Sequence, residues 1–219
     1  MYIDGQVLHR FAKSLWGFNR SITGDGVRKT LNYIKDEIGE LKIYEIKSGT
    51  KCFDWIVPEE WNINDAYIIT PSKKKIADFK KNNLHILNYS EPINKTLSLN
   101  ELKKNLYSIP NYPDAIPYVT SYYKRRWGFC LSHNQIKKLK SGQYKVFIDS
   151  SLKKGSLSYG ELVLKGKSKK EVLISTYICH PSMGNNETSG MVLTTFLSKW
   201  LKSKKRRYTY RIIFIPETI

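Results

Sequence analysis

Cysteine and histidine are scarce in this sequence, with three and four copies among 219 residues. Cys52, Cys130 and Cys179 are unevenly spaced, so they make no disulfide framework, and a reducing cytoplasm is the simplest expectation. His9, His85 and His133 lack any zinc-ligand spacing of the HExxH type. No apolar run approaches the roughly 18–20 residues that a membrane helix needs, which argues against a membrane partner. The segment from Met1 to Trp16 has no apolar core of the kind a secretory signal carries. Acidic residues are also few, 19 against 37 basic ones, for a net charge of +18. The lysines are spread in short runs alongside many Asn and Ile residues, which reads as a solvated basic surface and argues against nucleic acid as partner. A hydrophobic content of 41% excludes wholesale disorder, and the length suits one large domain or two small ones.

What the chain does carry centres on residues 171–190, EVLISTYICHPSMGNNETSG. The run from Val172 to Ile178 shows no alternation, so it reads as a strand covered on both faces. It stops at Cys179-His180-Pro181, and Asn185, Asn186 and Glu187 crowd the following loop. Met191, Leu193, Phe196, Leu197, Trp200 and Leu201 then recur at helical spacing. Ligands of open α/β sheets bind beyond the carboxyl ends of the strands, where His180 would stand. A neutral imidazole there can ligate Zn²⁺, although a lone histidine is more often structural. Neighbours along a strand point to opposite faces, so Cys179 and His180 are not expected to form a thiol–imidazole dyad, and Cys179 reads as a buried structural residue. Glu187 could simply answer a helix dipole.

Around this centre the periodicity predicts a helix over residues 6–15 and a second one through Val27, Leu31, Ile34 and Ile38, closed by Gly39. Thr23 or Asp25 can cap the second helix, and Arg20 and Arg28 read as ordinary surface residues flanking its entry loop. Strands are expected at 41–47, 66–70, 84–87, 144–148, 160–164 and 208–215. Ser98 with Glu101 and Ser132 with Gln135 are capping boxes. Residues 1–49 and 131–219 are read as an α/β core with a mainly parallel sheet flanked by helices, and 50–130 as a smaller inserted β-rich domain. The cationic and aromatic run Tyr122–Phe129 is expected in a loop that overhangs a cleft. The six cations from Lys199 to Arg207 suit a helix C-terminus and require no ligand.

CHPSMGNNETSG, followed about thirty residues later by FIPETI, resembles the aminopeptidase-like zinc hydrolases associated with polysaccharide-biosynthesis loci. LWGFNRSITGDGVRKTL at 15–31, FDWIVPEEW at 53–61 and YYKRRWGFCLSH at 122–133 resemble further signatures of that family, in the same order. The resemblance implies a zinc aminopeptidase fold with one or two zinc ions. It implies that His180 is the first metal ligand, that Asn186 stands where related enzymes place a bridging aspartate, and that Glu217 is a catalytic or metal-binding carboxylate. Asn186 is a departure, because a neutral amide bridges cations poorly; Glu187 beside it could substitute, but adjacent residues point differently.

Two readings follow. One is a cytoplasmic metallohydrolase cleaving a peptide or aminoacyl amide bond, with Glu217 moving a proton and His180, Asn186 and Glu187 on the metal. The other is a metal-free descendant that binds a peptide or a polysaccharide precursor. Ile219 follows the apolar run 212–215 almost directly, so a C-terminally truncated member is expected, with further ligands beyond it and too few within the chain for activity alone. A homo-oligomer is left open.

Overall fold

The computed structural model describes residues 4–216. Its labelled elements are α1 (Gly5–Trp16), α2 (Asp25–Ile38), β1 (Lys42–Lys47), β2 (Glu60–Ile69), β3 (Ile93–Ser98), β4 (Gln143–Lys153), β5 (Ser156–Leu164), β6 (Glu171–Tyr177), α3 (Ser189–Lys202) and β7 (Thr209–Ile215). Two compact units divide the chain: one runs up to Glu60 and resumes at Lys154, and the other is Trp61–Lys153. The sequence reading put the second unit at 50–130. β4 accounts for the difference, since it pairs along its length with β3 and so belongs with the middle of the chain.

In the first unit the strand order is β1-β5-β7-β6. The expected mainly parallel sheet is corrected here: β1 with β5 and β5 with β7 are antiparallel, and β6 with β7 is parallel. Apolar runs report burial and carry no direction. The link from β5 to β6 is too short to hold a crossover helix, so the chain reverses, passing over the position that β7 later fills. β6, α3 and β7 do form the expected βαβ unit with parallel strands.

The helices lie on one face of this sheet. Phe11 and Leu15 of α1, Val27, Leu31, Ile34 and Ile38 of α2, and Met191, Phe196 and Leu201 of α3 are buried with Leu162, Ile212 and Phe214. Each helix contributes an apolar stripe at the spacing read from sequence. The caps differ in part. Gly39 closes α2 at φ +86°, as expected, but its N-cap is Gly24 with no side-chain hydrogen bond, so neither Thr23 nor Asp25 performs that role. The entry turn folds back so tightly that a Cβ on Gly26 would lie 1.8 Å from the Asn19 carbonyl oxygen.

β6 is the other correction. Read as covered on both faces, it lies at the end of the sheet order, and Leu173 and Tyr177 are 62% and 47% exposed.

In the second unit the short strand Lys75–Ile76, β2, β4 and β3 are neighbours in that order. Trp61 is buried, donates from its indole to the Ser90 carbonyl at 2.9 Å and stacks on Tyr89. Both capping boxes form. The strand expected at 84–87 is instead a single turn at Asn83–His85, with Ile86 bridging once to Phe129. Arg126 is held within this unit by Ser121, the Thr120 carbonyl and Tyr107.

Gly26→Ala should lower stability by about 1–3 kcal/mol, because the added methyl meets backbone that cannot step aside. Thermal unfolding against Gly17→Ala, where a Cβ meets nothing within 4 Å, checks this.

Candidate metal centre

The candidate centre forms where β6 ends. Ile178 still bonds to the Ile215 carbonyl, but the chain leaves the sheet at Cys179, and α3 begins after the turn Gly184–Thr188. Within that turn Glu187 takes φ +81°, a left-handed conformation that costs energy for a residue with a Cβ. The conformation turns the Glu187 carboxylate inward. Its two oxygens accept from the His180 backbone N–H at 2.7 Å each, and one also meets His180 Nδ1. Glu187 and His180 are both buried. A carboxylate only accepts, so the imidazole proton sits on Nδ1, and the ring lone pair is on Nε2.

Arg20 holds this arrangement from below. Its side chain is fully buried. Nε donates to the His180 carbonyl at 2.9 Å, Nη1 to the Leu15 carbonyl at 2.6 Å, and Nη2 to Thr188 Oγ1 at 3.4 Å. One guanidinium thus ties the end of α1, the His180 backbone and the residue before α3. Burial lowers its pKa to about 10, and the Glu187 and Cys179 charges oppose that fall, so it remains protonated at neutral pH. Arg20 was read as a surface residue. Spacing held no signal for it, because a buried arginine has no periodic signature. Arg28 bonds instead to Glu60 and Asp25, and the Glu60 hydrogen bond raises its pKa.

Cys179, His180 and Glu187 bring one potential ligand atom each within 4.8 Å of one another, all buried. Thiolate, imidazole and carboxylate are zinc donors, so the donor chemistry fits. Zinc bonds of about 2.0–2.3 Å in a tetrahedron separate ligand atoms by roughly 3.3–3.8 Å. Glu187 lies in hydrogen-bond contact with Nδ1, closer than two ligands of one ion stand. The arrangement is therefore that of a carboxylate orienting the imidazole through its Nδ1 proton. Cys179 Sγ is 3.6 Å from Nδ1, which corrects the expectation that the two side chains diverge. Strand alternation has ended by this point in the chain. They still make no nucleophilic dyad, since Nδ1 is engaged by Glu187 and Cys179 is fully buried.

Asn186 is exposed and is not drawn into this cluster, while its neighbour Glu187 is buried. Glu217 lies outside the described residues. His85 bonds to the Cys130 carbonyl and His133 to Ser108, both within the second unit. An apolar groove borders the turn, lined by Leu8, Ala12 and Trp16 of α1 and Thr188, Val192 and Leu193.

The family described as Domain of unknown function (DUF4910) matches residues 9–219. The chain belongs to this family. A Clostridium acetobutylicum protein is 51% identical over 215 residues, covering 98% of this chain and 49% of that protein. Its name assigns it provisionally to polysaccharide biosynthesis and gives it an aminopeptidase-like domain. A crystal structure from Clostridium acetobutylicum, provisionally described as a peptidase, superposes with a TM-score of 0.95 at 50% identity, over 98% of this chain and 50% of that one. A zinc aminopeptidase from Bacillus subtilis matches at a TM-score of 0.60 and 10% identity, over 95% of this chain and 59% of that one, a likeness of fold. This DUF4910 chain therefore has the aminopeptidase-like α/β fold, and it spans about half the length of the Clostridium relatives.

Arg20→Met should cost about 3–5 kcal/mol, since the His180 and Leu15 carbonyls lose their donor and Glu187 its buried counter-charge. Urea unfolding measures it, and Arg20→Lys should recover only part, having no fork to reach three acceptors.

Proposed function

We propose that this chain carries one side of the active site of a zinc-dependent aminopeptidase-like hydrolase that cleaves a peptide or aminoacyl amide bond. The observation that carries the reading is the buried Glu187–His180 pair at the end of β6, set in a fold shared with a zinc aminopeptidase. His180 would hold the ion through Nε2. Glu187 fixes the tautomer, and Arg20 fixes the backbone that carries the ring. Zinc at such a site lowers the pKa of bound water and polarises the scissile carbonyl. Glu217 is proposed as the general base that would take a proton from the attacking water and pass it to the leaving amine. Asn186, exposed at the turn, is suited to bonding a substrate carbonyl or amine. The name of the Clostridium relative supports a place in polysaccharide biosynthesis, and the three free cysteines support a reducing cytoplasm.

One observation favours a second reading, a metal-free protein that binds a peptide or a polysaccharide precursor. The Glu187 carboxylate is already taken up by His180 and its backbone, and the family resemblance puts the neutral Asn186 where a metal-bridging carboxylate is expected. The apolar groove beside the turn would then be the ligand's seat.

Zinc titration with metal-content analysis separates the two. The hydrolase reading predicts stoichiometric zinc, lost in His180→Ala, and zinc affinity about 10–100-fold weaker in Glu187→Gln, which keeps the size of the side chain but loses its charge. Zinc that stays bound in His180→Ala, or no zinc under any loading, contradicts it.

A further inference from the structure

A second concavity lies wholly within the unit Trp61–Lys153, and the zinc reading makes no use of it. It encloses about 460 Å³ between the turn that joins β2 to the strand Lys75–Ile76 and the segment from Leu131 to Tyr144. Small-molecule sites run from roughly 300 to 1,000 Å³, so the size suits a compact ligand.

Local hydrogen bonds fix both walls. The Thr70 N–H donates to the Lys74 carbonyl at 2.9 Å, and the Thr70 hydroxyl accepts from the Lys74 N–H at 3.0 Å, which closes the first turn. Tyr144 is buried and donates from its phenol to the Lys140 carbonyl at 2.7 Å, which pins the second wall. The two walls meet at Gly142, where φ is +145° and a Cβ would lie 2.5 Å from Pro71 Cγ. The pocket is therefore preformed, and a ligand would not have to order it.

The lining is divided by chemistry. Ile76, Leu131 and Leu139 give it an apolar surface. Lys74, Lys138 and Lys140 supply three ammonium groups, Ser72 and Ser141 supply hydroxyls, and no carboxylate lines the pocket. Nearby lysines are answered: Lys75 pairs with Asp78 at 3.1 Å and Lys80 with Asp65 at 3.4 Å. Among the described residues, Lys74, Lys138 and Lys140 pair with no carboxylate. Three like charges on one pocket repel, and an anion among them turns that repulsion into attraction. A phosphate offers the charge and the several acceptor oxygens that ammonium and hydroxyl donors match.

We infer that this pocket binds a small phosphorylated molecule, with its phosphates on Lys74, Lys138 and Lys140 and its ring body on Ile76 and Leu139. The site shares no residue with the candidate metal centre and stands whether or not zinc binds.

The test titrates uridine diphosphate and inorganic pyrophosphate into metal-free protein by calorimetry. Salt at about 0.15 M screens diffuse attraction to the basic surface. One uridine diphosphate per chain should bind saturably, about tenfold tighter than pyrophosphate, which has the charge without the ring. Lys74→Ala, Lys138→Ala and Lys140→Ala should each weaken it about tenfold with unchanged circular dichroism. Lys167→Ala and Lys169→Ala, at exposed lysines of the first unit, should leave it unaltered. Amide NMR shifts of the unsubstituted chain should centre on 70–76 and 131–144. Absence of saturable binding, equal weakening by the control substitutions, pyrophosphate binding as tight as uridine diphosphate, or shifts centred elsewhere would each overturn the inference.

Discussion

A fully buried guanidinium must place its donors on acceptors, because each one left without a partner costs free energy that the fold cannot spare. Arg20 meets this demand with the His180 carbonyl, the Leu15 carbonyl and Thr188. The end of α1 and the turn that carries His180 and Thr188, 160 or more positions later, are thereby fixed to one another. The charge also needs an answer inside the protein, and Glu187 supplies it while bonding to the His180 ring. The left-handed backbone at Glu187 is the strain that this network sustains. Without Arg20, the carboxylate would lose its buried counter-charge, and the His180 carbonyl would lose its donor.

This chain of dependence runs from the sequence to the chemistry. The apolar stripes of α1, α2 and α3 cover one face of the sheet, and that packing puts Leu15, Thr188 and the end of β6 around Arg20. The site is rigid where the metal would stand and open where the sheet ends. The first property suits a ligand held in one orientation.

Much of this was legible in the residues, for physical reasons that differ from element to element. Val27, Leu31, Ile34 and Ile38 repeat at the helical period, so α2 and its core face could be read directly. Ser98 with Glu101 satisfies backbone donors locally, so its helix start needed no tertiary context. His180 stood out because it follows an apolar strand. Strand direction was not legible, since antiparallel β5 and parallel β6 are both apolar runs. Arg20 was missed because its burial depends on residues more than 150 positions away. Glu187 was read as lying beside the metal, and the structure buries it against the His180 ring, a contact that its exposed neighbour Asn186 does not share and that spacing alone does not reveal. Cys179 was placed on the wrong side because alternation was extended one residue past the strand.

The central claim is that the Arg20–Glu187 network holds His180 with its proton on Nδ1 and the ring lone pair on Nε2. Nitrogen-15 NMR of the imidazole in metal-free protein at neutral pH tests it directly, since protonated and bare ring nitrogens resonate far apart. The account predicts a protonated Nδ1 and a bare Nε2 in the native protein, with this preference lost in Glu187→Gln. A proton on Nε2 in the native protein, or a tautomer mixture that Glu187→Gln leaves unchanged, would contradict it.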